Sequence, residues 1–204
     1  MARYTASVCK LCRRINEKLM LKGSRCFTPK CAVGRRRRVM GRRRRVSDYG
    51  LQLLEKQKAR YSCGLLERQF RRFFTLAEKQ AGITGDNLKV LLARRLDSVV
   101  HDLGFADSRA QARQLVLHGH ILVNEHKVDI ASSLVKEGDT IRWREGSTKT
   151  EYYKQLLESI QNKTVPTWLS LNRETMVAQM VSLPVPDEAG IKFDSKAIVE
   201  YYSK

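Results

Sequence analysis

The sequence predicts an α+β protein. Three observations carry that prediction: apolar residues at helical spacing from Ser47 to Leu103, a switch to short strand-like runs between Ile121 and Arg144, and two close cysteine pairs ahead of both. The expected architecture is an N-terminal cysteine module and a helical domain, with a small helix-pair and β-sheet domain inserted. The expected boundaries are 1–46 for the module with an Arg-rich segment and 47–93 for the helical domain. The inserted domain takes 94–155, and a 156–204 segment packs back on the helical domain.

Residues 1–34 are rich in Cys, Lys and Arg and have too few periodic apolar side chains to bury a core alone. Cys9-x-x-Cys12 and Cys26-x-x-x-x-Cys31 form two pairs thirteen residues apart. Two pairs of thiolates suit a tetrahedral ion, and four Cys with no water position make a closed structural zinc site. The alternatives are two disulfides, four unmetallated thiols or an iron-sulfur cluster. Disulfides fit poorly in a chain without a secretory signal, and nothing suggests electron transfer. Cys63, beside Gly64, reads as a small buried side chain.

The hexamer Gly34-Arg-Arg-Arg-Arg-Val39 recurs after one Met as Gly41-Arg-Arg-Arg-Arg-Val46. Its like charges repel, so it should be extended when free. The repeat belongs to a lopsided charge distribution. Of the formal net charge of +18, residues 1–62 contribute 19 Lys+Arg against 3 acids and residues 63–204 contribute 20 against 18. A field concentrated in this way attracts a polyanion, because each phosphate neutralised releases condensed counterions. An anionic membrane surface is the competing partner, but the basic run has no amphipathic apolar face to insert. No stretch approaches the roughly 20 apolar residues of a membrane span, and Met1-Ala-Arg-Tyr4 lacks a signal-like apolar region. The expectation is a cytoplasmic protein.

From Ser47 or Asp48 as N-cap, Leu51, Leu54, Lys58 and Tyr61 mark a first helix, punctuated by Gly64. Leu65, Leu66, Phe70, Phe73, Phe74 and Ala77 mark a second, with Arg68, Arg71 and Arg72 on its other face, stopping at Gly82. A third is expected from about Asp86 to Leu103, with Gly104 closing it. Ser108-Arg-Ala-Gln111 is a capping-box pattern opening a short helix that ends at His118-Gly119. Ile121–Val123, a turn at Asn124-Glu125, Lys127–Ile130 and Thr140–Arg144 make a small sheet. The tail adds a helix over about Thr150–Ile160, the segments Trp168–Leu171 and Met176–Leu183, and a final helix from Asp194.

No active site stands out. His118 and His120 flank Gly119 and suit base stacking or a phosphate hydrogen bond better than a metal, for want of a third ligand. His101 reads as structural. Arg95-Leu96-Asp97 is part of the Gly-Arg-Leu-Asp motif of several pseudouridine synthases. Arg94 replaces the Gly and the surroundings are helical, so Asp97 is expected to be an exposed partner of nearby arginines. There is no phosphate-cradling Gly-rich loop and no G-x-S-x-G elbow.

Leu96-Asp-x-Val-Val100, Leu103-Gly-Phe105, Ser108-Arg-x-Gln-Ala-Arg-Gln-Leu-Val116 and His118-Gly-His-Ile-x-Val-Asn124 resemble the RNA-binding domain named after the S-four ribosomal proteins. The likeness extends to Met1-Ala-Arg-Tyr4, the four-Cys spacing, Ser47-Asp-Tyr49, Glu55-Lys-Gln-Lys58, Glu67-Arg-Gln-Phe70, Trp168-Leu-Ser-Leu171 and Tyr201-Tyr-Ser203. It therefore resembles the whole S-four family of small-subunit ribosomal proteins, bacterial type with four zinc-ligand cysteines. The resemblance implies a non-enzymatic ribosomal protein that binds small-subunit rRNA early in assembly. It also implies contact with the fifth small-subunit protein and other small-subunit proteins, a place near the path by which mRNA enters, and a share in decoding accuracy. No membrane and no small-molecule substrate are expected. A modifying enzyme carrying the same small domain would need a separate catalytic domain, and a rescue factor would be shorter and lack the cysteine module.

Within that reading one Zn2+ is held by Cys9, Cys12, Cys26 and Cys31. RNA contacts fall to Arg35, Arg36, Arg37, Arg38, Arg42, Arg43, Arg44, Arg45, Lys56, Lys58, Arg60, Arg68, Arg71, Arg72, Arg109, Arg113, His118, His120, Asn124 and Lys127. Phosphate contacts position the protein and the shape of the folded RNA gives selectivity. Bacterial relatives usually carry a Pro-Pro-Gly-Gln-His-Gly stretch before the arginine run; the Gly-Arg repeat stands there instead, so contacts of that loop do not carry over.

Overall fold

The computed structural model describes residues 4–33 and 47–203. In chain order the helices are α1 (Cys9–Ile15), α2 (Asp48–Ser62), α3 (Glu67–Glu78), α4 (Thr84–Ala93), α5 (Leu96–Asp102), α6 (Arg109–Leu117), α7 (Glu151–Ser159) and α8 (Ser195–Tyr202). The strands are β1 (Ile121–Val123), β2 (His126–Lys127), β3 (Thr140–Trp143), β4 (Leu169–Asn172) and β5 (Val177–Met180). They fall into two compact units: Met1–Lys89 with Ile191–Lys204, and Val90–Gly190.

In the first unit, α1 buries Leu11, Cys12 and Ile15 in a small cluster with Leu19 and Tyr61, to which Leu54 of α2 adds. The module thus borrows apolar surface from α2. That helix starts where Ser47 accepts a hydrogen bond from the Gly50 amide, satisfying one of the orphan donors of the first turn. It ends before Gly64, whose φ of +64° is strained for any side chain. α3 buries Phe70, Phe73, Phe74 and Ala77, which leaves Arg68, Arg71 and Arg72 in solvent.

The C-terminal helix α8, capped by Asp194, packs on α2. Gln52 donates to Glu200 at 2.9 Å, Glu55 accepts from the Asp194 amide at 2.9 Å, and Tyr202 lies 4.4 Å from the Phe74 ring. At the centre is Lys56, only 4% exposed. Its ammonium meets Glu67 at 2.8 Å and sits 4.6 Å from the centre of the Tyr201 ring. Tyr202 also donates to Glu67, at 3.0 Å. Burial would raise the Glu67 carboxyl, but hydrogen bonds from Lys56 and Tyr202, with the charges of Lys56 and Arg60, hold it below the usual carboxylate range.

In the second unit the helix expected over Asp86–Leu103 is two helices. The chain turns extended at Arg95, with ψ of 137°, and pairs there as an isolated β-bridge with Leu134. The Leu96 amide donates to Ser133 at 2.8 Å and the Val135 amide to Arg94 at 2.9 Å, so backbone pairing with 131–135 replaces helical bonds at the break. The break turns Asp97 inward. It is 3% exposed, not the exposed partner expected from the sequence, and its carboxylate takes Arg95 at 3.0 and 2.6 Å and Arg113 of α6 at 3.2 Å.

Ser108 caps α6 by accepting from Gln111, and Gln111 reaches back to the Asp107 amide, one residue earlier than a strict capping box. Asn124 and Glu125 both adopt positive φ, 49° and 67°, forming the tight turn between β1 and β2. The sheet is antiparallel and five-stranded, in the order β2-β1-β3-β5-β4. Its core carries Phe105, Val116, Ile121, Ile141, Trp143, Trp168 and Met180. β4 and β5 extend the expected three-stranded sheet. The 156–204 segment is therefore divided: residues up to Gly190 belong to this unit, and only the α8 end packs on α2. Alternation makes the difference, since Leu169, Ala178 and Met180 face inward where β5 pairs with β3.

Candidate nucleic-acid interface

Cys9 and Cys12 sit on α1. Cys26 lies on a 3-10 turn over Gly23–Phe27, with Cys31 in the turn beyond it. All four line one small cavity together with Leu21, Lys22, Arg25, Lys30 and Val33. The Lys22 amide donates to the Cys26 sulfur at 3.4 Å. None of the four is in a disulfide, and burial with the other three nearby pushes the Cys12 thiol up. Among the described residues no group of three or more His, Cys, Asp or Glu stands in an arrangement that could hold a metal ion as it is. The donor set suits zinc in kind and number, and all four residues line one cavity.

Arg35 to Arg38 and Arg42 to Arg45 lie outside the described residues. The remaining expected contacts divide into exposed and internal ones. Arg68, Arg71 and Arg72 share the solvent face of α3, at i, i+3 and i+4 spacing that gathers three guanidinium groups on one stripe. Lys127 crosses Gly119 so closely that a Cβ there would lie 2.2 Å from its Cε, which brings β2 beside the His118 end of α6. His118 is exposed, with its ring 6.0 Å from that of His120. His120 bonds Ser147 through Nδ1 at 2.8 Å. Burial, then His118 and Arg144, lowers its imidazole below the ordinary value, which favours the neutral ring.

Lys56 and Arg113 are buried against Glu67 and Asp97. Lys58 meets Glu17 at 2.8 Å, Arg60 meets Glu67 at 3.3 Å and Arg109 meets Asp102 at 3.4 Å. Asn124 holds its turn, donating to Asp139 at 2.7 Å and accepting from the Thr140 amide at 2.9 Å. Each of these six groups thus also holds a place in the frame.

Sequence reading passed over Lys10, Arg13, Arg14, Lys18, Lys22, Arg25 and Lys30, all exposed. Their signal was present: residues 4–33 contain these seven cations and a single acid, Glu17. Among the described residues no helix is long and apolar enough to cross a membrane.

Residues 3–93 match the family described as Ribosomal protein S4/S9 N-terminal domain, and residues 94–141 match the S4 domain. The Small ribosomal subunit protein uS4 of Dehalococcoides mccartyi (strain CBDB1) is 52% identical, with 100% of both chains covered. Those of Pelotomaculum thermopropionicum and Halothermothrix orenii are 51% and 49% identical, again over 100% of both chains. The chain belongs to the uS4 family of small ribosomal subunit proteins.

Proposed function

We propose that this chain is a structural, non-catalytic constituent of the small ribosomal subunit in the cytoplasm and binds its rRNA directly. The observation that carries the reading is the likeness to uS4 proteins along 100% of the chain at 52% identity. Geometry supports it. Exposed cations cover the module and the outer face of α3, and the His118–Lys127 corner offers rings and a cation to an RNA groove or loop. Mixed with protein-free small-subunit rRNA, the chain is expected to co-sediment at one copy per RNA. A chain that stays free in physiological salt overturns the reading.

Cys9, Cys12, Cys26 and Cys31 would hold one zinc ion, a closed structural site that supplies cross-linking and no chemistry. The lining of one cavity by all four cysteines supports this assignment. Chelation should cost α1 and the 3-10 turn their amide protection while α5 and α6 keep theirs; unchanged protection in verified metal-free protein refutes it. The family resemblance further assigns partners beyond RNA: the fifth small-subunit protein and other small-subunit proteins, and mRNA near its path into the ribosome. The same resemblance assigns a contribution to translational accuracy.

A further inference from the structure

Five of the six phenylalanines are buried: Phe70, Phe73, Phe74, Phe105 and Phe193 are each at most 8% exposed. Phe27 is 76% exposed, more open than any other large apolar side chain among the described residues. Its placement is fixed by the fold. Cys26, immediately before it, is buried and accepts from the Lys22 amide. The Thr28 hydroxyl, immediately after it, donates to the Arg25 carbonyl at 2.9 Å, and the Cys31 amide donates to the Thr28 carbonyl at 3.1 Å. With the backbone stapled on both sides and the preceding side chain turned inward, the Phe27 ring is held out in solvent.

The surroundings decide what such a ring is for. Lys22, Arg25 and Lys30, all exposed, flank it in the chain and rim the cavity of the four cysteines, and the only acid of residues 4–33, Glu17, is engaged by Lys58 at 2.8 Å. An apolar protein partner would have to strip water from these cations, whereas a nucleic acid supplies a phosphate for each and an aromatic face for the ring. We propose that Phe27 is a base-stacking residue: its ring receives one unpaired base of the bound RNA while Lys22, Arg25 and Lys30 hold the flanking phosphates. The proposal rests on the rRNA-binding reading and adds a contact to a base where the cations alone contact only the backbone.

The test is equilibrium binding of the full chain to small-subunit rRNA between 50 and 200 mM salt, with Phe27→Ala, Phe27→Tyr and Phe27→Trp. Loss of one stack is expected to weaken Phe27→Ala by roughly 5- to 150-fold. The salt slope should stay unchanged, because a neutral side chain releases no counterion. Phe27→Tyr and Phe27→Trp should restore affinity, and the new indole should be quenched on RNA binding beyond any change from the buried Trp143 and Trp168. Parental affinity of Phe27→Ala, a loss that neither aromatic variant restores, or an unquenched indole overturns the stacking role alone. Failure of the unaltered chain to bind overturns the rRNA reading, and the stacking proposal with it.

Discussion

Replacing Asp97 by Ala tests the frame on which the second unit depends. The Asp97 side chain is 4% exposed and takes three hydrogen bonds from Arg95 and Arg113, themselves 1% and 8% exposed. Removing one member of such a buried ionic group costs about 3 to 5 kcal/mol, because the desolvation of the remaining charges is no longer offset. Total stability is on the order of 5 to 15 kcal/mol, so this is a large fraction. With a urea slope of about 3 kcal/mol/M, the midpoint should fall by roughly 1 to 1.7 M. The assay is urea unfolding followed by circular dichroism, with Lys154→Ala as control. Lys154 is 63% exposed in its pair with Glu151, and its loss should change stability by less than about 0.5 kcal/mol. If Asp97→Ala unfolds within about 1 kcal/mol of the parent, the buried triad is not what holds α5 to α6.

Arg71→Gln and Arg72→Gln should each reduce the slope of log affinity for rRNA against log salt by about 0.9 without altering unfolding. Arg113→Gln should do the reverse, since its guanidinium is spent on Asp97; equal slope changes at all three positions would refute that division. Glu67 tests the packing of α8 through pH. Its carboxyl is held low in the folded state, so its contribution is present above the unfolded value of about 4.3 and is lost as pH falls through the folded value. Glu67→Gln should therefore flatten the stability profile between about pH 5 and 3, and an unchanged acid limb would show that Lys56 and Tyr202 do not stabilise the carboxylate.

What was legible in the sequence was local chemistry. Ser47 and Ser108 announced two helix starts because a side-chain oxygen there satisfies orphan amides, and both do so in the structure, as do Thr150 and Asp194 at the starts of α7 and α8. Asn124-Glu125 announced a turn, and the phenylalanines of α3 announced its buried face. What was hidden depends on distant segments. Apolar spacing runs unbroken from Leu88 to Leu103, with no Gly or Pro to mark the break at Arg95; the break exists because residues 131–135 compete for the backbone. The same competition buries Asp97, which reads as a surface charge in isolation. β5 reads Val177-Ala-Gln-Met180, which breaks strict alternation, and its place in the sheet depends on pairing with β3. At the interface, the exposed arginines of α3 were readable from helical periodicity. The internal roles of Lys56, Arg113 and Asn124 were not, since a cation or amide that serves the frame looks the same in sequence as one that meets a phosphate.

The central claim is specific binding to small-subunit rRNA, and the most direct test is equilibrium binding to that RNA in physiological salt with excess unrelated structured RNA as competitor. Binding that survives the competitor at tight affinity is the predicted result; binding that disappears into the competitor pool would leave only the generic attraction of a +18 chain for phosphate and would contradict the account.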